Sequence, residues 1–159
     1  MNIVKKFSVG AWITLAAAVL ALASVIVYAV NIGSAGYFQN AAVTNIIPLC
    51  ALAAAALAAA VVLGQVKLSG PAFTAMELVT GVLQVCAPVL LTLCLASLAA
   101  ARAEGLGFIY FSNADVILEV QTPANLASAA GTIANMACLG AAALAGIVGA
   151  FCGLRKKER

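Results

Sequence analysis

Four apolar runs, each long enough to cross a bilayer, alternate with short polar connections along this chain. The first occupies residues 8–31, the second 46–66, the third 72–102 and the fourth 124–153, and the only charged residues inside them are Glu77 and Arg102. A span needs about 20 apolar residues. In hydrocarbon each backbone N–H and C=O must find its partner within the segment, so all four runs are expected to be helices. Pro48, Pro71 and Pro123 fall in the expected first turns, with Asn45, Ser69 and Thr122 just upstream as candidate caps. The pattern predicts an all-α membrane protein, a four-transmembrane-helix bundle forming one integral domain over residues 1–159, with longer connections at 32–45 and 103–122.

Composition agrees, with 65% hydrophobic residues, 8% charged residues and a mean hydropathy of +1.16. Lys5 and Lys6 ahead of an apolar run imitate a signal peptide, but the run continues past Ala21-Leu22-Ala23 to Val30, too long for a signal's apolar core. An uncleaved first span is expected.

Charge sets the expected orientation. With alternating spans, Lys5, Lys6, Lys67, Arg155, Lys156, Lys157 and Arg159 share one side and only Arg102 falls on the other. This bias places both termini in the cytoplasm and the two longer connections outside. Phe7, Trp12, Phe73 and Phe151 then cluster toward the inner interface, and Tyr28, Tyr37, Phe38, Phe108, Tyr110 and Phe111 toward the outer one. The economy of the connections suits a bacterial cytoplasmic membrane. The four-span topology is similar to that of claudins, but the tryptophan and paired cysteines of a claudin's first outer loop are missing, so the likeness stops at topology.

A phrase recurs in the two longer connections, Tyr37 to Val43 (YFQNAAV) and Tyr110 to Val116 (YFSNADV). At the same offset of 73, Leu20, Ala23 and Ser24 match Leu93, Ala96 and Ser97. This internal repeat predicts two tandem helical hairpins about a pseudo-two-fold axis along the membrane normal. Between Phe108 and Val120, short apolar and β-branched runs flank a turn-like Ser112-Asn113-Ala114-Asp115, so the outer cap is expected to contain short β-strands. Tyr37, Phe38, Asn40, Tyr110, Phe111, Asn113 and Asp115 form the candidate outer-loop surface, either packing the cap or recognising a partner.

Within the spans, Ala137, Ala141, Ala145, Gly149 and Gly153 recur at every fourth position and form a candidate helix-packing stripe. Polar and helix-breaking positions mark a candidate pathway at Glu77, Gln84, Pro88 and Asn135, with Pro88 freeing the Gln84 carbonyl. Enzyme chemistry is not expected. Histidine is absent, and Cys50, Cys86, Cys94, Cys138 and Cys152 contain no Cys-x-x-Cys, which leaves them as small packing residues. No metal or cofactor is expected, and no nucleic-acid partner. The expected partners are the lipid bilayer and a second copy or another membrane subunit. The favoured function is a non-enzymatic assembly or accessory subunit with its outer loops as cap or docking surface; the alternative is a small transporter or channel subunit passing a neutral or hydrophobic solute or an ion.

Overall fold

A computed structural model describes residues 7–66 and 69–155. Its elements are α1 (Val9–Gly33), α2 (Ile46–Gln65), α3 (Pro71–Phe111), the short α4 (Ala114–Val120) and α5 (Pro123–Phe151). The four long helices are each long and apolar enough to span a membrane. They form a closed ring in which α1 and α3 are diagonal to one another, and each packs against both α2 and α5. One end of the bundle carries the α1–α2 and α3–α5 connections and is called the loop end; the other carries the start of α1 and the end of α5. Lys5, Lys6, Lys67, Lys156, Lys157 and Arg159, on which the expected orientation rests, lie outside the described residues.

Two expectations are corrected at the loop end. The third helix does not stop at residue 102 but runs on to Phe111, and its 41 residues extend about 61 Å at 1.5 Å per residue, some twice the hydrocarbon thickness. The segment read as strands is helical, and no strand occurs among the described residues. The physical reason lies in the turn-like residues. Asn113 accepts the Val116 N–H at 3.0 Å as the N-cap of α4, and Asp115 sits in that helix's first turn. A capping side chain and an acid beside the positive helix end favour a new helix over a hairpin. Thr122 caps α5 in the same way, bonding the Asn125 N–H at 3.2 Å. Gly70 rather than Ser69 immediately precedes α3, and Asn45 precedes α2 in the left-handed region without a side-chain cap.

The two copies of the repeated phrase adopt different backbones, the first an irregular turn and the second the end of α3 and start of α4. Buried positions of α1 and α3 coincide 70 residues apart, as Thr14 with Gln84, Ala17 with Ala87, Ala21 with Leu91, Ser24 with Cys94 and Tyr28 with Leu98. At the offset of 73, buried Ser24 instead meets exposed Ser97. Between α2 and α5 the coinciding pairs are 82 apart, among them Cys50 with Thr132, Leu57 with Leu139 and Gly64 with Gly146. The growth from 70 to 82 equals twelve residues, which the outer part of α3 and α4 take up.

Small residues fill the interior. Ala17, Ala18, Ala21, Ala53, Ala54, Ala87, Ala142 and Ala143 surround Leu57, Leu91, Leu98 and Leu139, with Cys50 and Cys94 packed between α2 and α3. Lipid offers no hydrophobic drive for helices to associate, so close van der Waals contact must supply it. That contact is tightest where α1 meets α5. A Cβ on Gly10 would lie 1.9 Å from the Cys152 carbonyl oxygen, and one on Gly149 would lie 2.6 Å from Thr14 Oγ1. Arg155 closes the same end, its guanidinium donating to the carbonyls of Gly64 (3.0 Å) and Val66 (2.6 Å) and lying 4.5 Å above the Phe73 ring. A cation at the C-terminal end of α2 also meets that helix's negative pole.

Gly10→Ala and Gly149→Ala should each destabilise the bundle by about 1–3 kcal/mol through overpacking of this seam. Gly140→Ala, whose Cβ would stand 3.8 Å from Leu95, should leave stability unchanged or slightly raised. Thermal unfolding of the three variants in nanodiscs checks the ranking.

Candidate functional site

Polar side chains inside a membrane bundle are its strongest pointers to function, and here they concentrate along the α1–α5 seam. On α5, Ser128, Thr132 and Asn135 follow one another at steps of four and three, which puts all three on one helical face, and all are buried. Their partners come from α1 and the loop after it. The Ser24 hydroxyl donates to Asn135 Oδ1, Asn31 Nδ2 donates to Thr132 Oγ1 at 2.9 Å, and the Phe38 N–H donates to Ser128 Oγ at 3.2 Å. Away from the loop end, Thr14 donates back to the Gly10 carbonyl at 2.8 Å. Such a ladder fixes the rotation and register of two otherwise featureless apolar helices, each rung contributing on the order of 0.6–2 kcal/mol.

The sequence-derived pathway is divided by this geometry. Asn135 belongs to the α1–α5 seam, whereas Gln84 belongs to the α3–α5 seam and donates from Nε2 to the Gly149 carbonyl at 3.2 Å. Pro88 fills the notch left by Gly146, whose Cβ would stand 2.9 Å from the proline ring, and α3 continues through it as a helix. Glu77 is exposed on the first turns of α3. The candidate stripe is divided as well. Gly149 faces inward against Thr14 and Ala145 is half-buried, while Ala137 and Ala141 face outward from the ring. Gly153 lies beyond the helix, and its carbonyl accepts the Ser8 hydroxyl at 2.7 Å.

At the loop end, residues 34–45 are drawn across the outer part of α3 by a buried cation. Arg102 is only 4% exposed; it donates from Nη2 to the Ala41 carbonyl and its guanidinium lies 4.5 Å above the Phe38 ring. No carboxylate among the described residues pairs with it, and its Nε is buried without a partner. The face of Phe38 and the Ala41 carbonyl therefore carry the electrostatic compensation for this charge. Gly105 permits the approach, since a Cβ there would meet the rings of Phe38 and Tyr37 at 2.6 and 2.7 Å. Tyr28 anchors the same loop further along, its hydroxyl accepting the Val43 N–H.

The seven loop residues singled out from the sequence do not form one surface. Phe38 is buried against Ile109 and Ala129, and Tyr110 packs at the edge of that cluster. Tyr37 is half-exposed, edge-on to Phe38 and tilted against Phe108. Asn40 holds a left-handed turn at φ 58° and donates its N–H to the Ile32 carbonyl at 2.8 Å. Phe111 is 86% exposed, and Asn113 and Asp115 are occupied with the start of α4. Sequence reasoning missed Ser24, Asn31, Ser128 and Thr132, although the four-three spacing on α5 was a readable signal.

Comparison with protein-family models, curated proteins and solved structures finds no match for this chain.

Arg102→Ala should release the 34–45 loop, because the lost bond to a charged donor is worth about 1.5–3 kcal/mol. Amide exchange at Gln39 and Asn40 is then expected to accelerate roughly ten- to hundredfold, with Gly140→Ala as an unperturbed reference. Unchanged exchange would show that Tyr28 and Asn40 hold the loop without the arginine.

Proposed function

We propose that this chain is a non-enzymatic integral membrane assembly or accessory subunit, whose outward small-residue faces bind another membrane helix and whose loop end forms a cap. The observation that carries the reading is the outward placement of Ala130, Ala134, Ala137 and Ala141 on α5. Their side chains leave a shallow strip on a helix that already uses its opposite face, through Ala142, Gly146 and Gly149, to close the ring. Close approach of a second helix is the contact that such a strip rewards in lipid. Diagonally opposite, α2 presents Ala51, Ala55 and Ala58 to the outside in the same manner, which suits a second copy of the chain or a different membrane subunit.

The transport reading has less support, because the side chains it would use, Gln84 and Asn135, are each committed to a partner within the bundle. In the proposed placement both termini lie in the cytoplasm of a bacterial cell and the cap faces outward, supported by the seven-to-one distribution of basic residues. The two-hairpin organisation agrees with the ring order, with the longer connection of the second hairpin elaborated into helix.

Native mass spectrometry from nanodiscs tests the assembly. The wild-type chain should appear as a discrete homo-oligomer or with a stoichiometric membrane partner, and the double substitution of Ala137 and Ala141 by Ile should return it to a single chain with unchanged thermal stability. A wild-type monomer overturns the reading. Orientation has a separate test: a cysteine-free chain carrying Asp115→Cys should react with an impermeant maleimide added to intact cells, and reaction only after lysis reverses the topology.

A further inference from the structure

A groove of about 290 Å³ opens on the lipid-facing side of the α1–α5 seam, toward the loop end. Its size is at the lower limit of small-molecule sites, enough for a small head and the start of one chain. Ile26, Val27, Val30 and Ala127 supply apolar walls, and its polar groups are Asn31, Ser34 and Ser128. None of the lining residues is charged. The groove is continuous with the exposed apolar surface of α1, where Ile26 and Val30 face outward.

The polar groups have hydrogen-bonding capacity left over. Asn31 is 9% exposed and spends Nδ2 on Thr132, but no donor among the described residues reaches its Oδ1. That oxygen is not among the side-chain atoms sealed from the surface without a partner. It lies over Gly131, 2.9 Å from where a Cβ would sit, so the glycine both admits the amide and keeps the groove open. Ser128 is 4% exposed and accepts the Phe38 N–H, while no acceptor among the described residues takes its own proton. A free acceptor on Asn31 and a free donor on Ser128 thus belong to residues that line the same apolar slot, where a polar group left without a partner is costly.

We propose that this groove binds the head of an uncharged, hydroxyl-bearing amphiphile from the surrounding bilayer. One hydroxyl completes both groups, donating to Asn31 Oδ1 and accepting from Ser128, while the attached chain lies along Ile26, Val27 and Val30. An anionic head would find no cation in the lining, and a carboxylate or ether oxygen would offer nothing to the asparagine acceptor. The site belongs to the single chain and is independent of the assembly proposed above.

The test uses the full-length chain in phosphatidylcholine nanodiscs doped with a long-chain alcohol carrying a photoreactive diazirine and an alkyne. After irradiation, peptide mapping should place adducts on residues 26–35 and 127–131. Replacing the alcohol by its methyl ether should lower that labelling about five- to tenfold, the worth of one hydrogen bond. Ala127→Trp fills the groove from an exposed position and should abolish it, whereas Gly140→Ala should not affect it. Equal labelling by alcohol and ether, or adducts spread evenly around all four helices, would overturn the proposal and leave the groove filled by bulk lipid.

Discussion

The closure of the ring between the first and last long helices is the contact on which the rest of the structure depends. Neither α1 nor α5 has a strongly one-sided apolar pattern, since almost every position on both is apolar or small, and lipid does not distinguish one face from another. Two other means select the mating faces. Glycines at Gly10 and Gly149 let backbone approach backbone, and the rungs Ser24–Asn135 and Asn31–Thr132 allow one rotation only, because any other would strand polar groups in hydrocarbon. The other sides of the ring are closed by α2 and α3, with Pro88 fitting the notch at Gly146.

Each end of the ring is then fastened by an arginine in the same chemical manner. Arg102 at the loop end and Arg155 at the other each lie 4.5 Å over a phenylalanine ring and donate to backbone carbonyls. Arginine suits both positions, since its planar, weakly hydrated cation stacks on an aromatic face and reaches several acceptors at once. The two differ in surroundings. Arg155 is exposed and answers the unsatisfied carbonyls of a helix end, while Arg102 is buried and holds a loop that has no regular structure of its own.

The spans were legible because a continuous apolar run has one stable form in lipid. The loop end was harder to read for a definite reason. Phe108 to Val120 combines aromatic and β-branched residues around Ser112-Asn113, a composition shared by hairpins and by helix junctions, and the outcome turned on Asn113 acting as a cap. The tyrosine-phenylalanine-asparagine repeat misled for a related reason: identical residues took different roles once one copy was pinned by Arg102 and the other fell at the end of a long helix. Among the candidate residues, the pathway set mixed members of two seams, because sequence gives the depth of Gln84 and Asn135 but not their direction around the helix axis. Ser128, Thr132 and Asn135 could have been grouped by spacing alone. Their partners on α1 could not, being about a hundred residues distant.

That separation has a consequence for how the protein is made. Ribosomal synthesis delivers α1 to the membrane first and α5 last, so Ser24 and Asn31 enter the bilayer long before the residues that satisfy them exist. During that interval the Ser24 hydroxyl has the carbonyl one turn earlier in its own helix as an alternative partner, as Thr14 has in Gly10, and Asn31 lies in the last turn of α1. The contacts that give the finished bundle its register are thus the last that synthesis makes available.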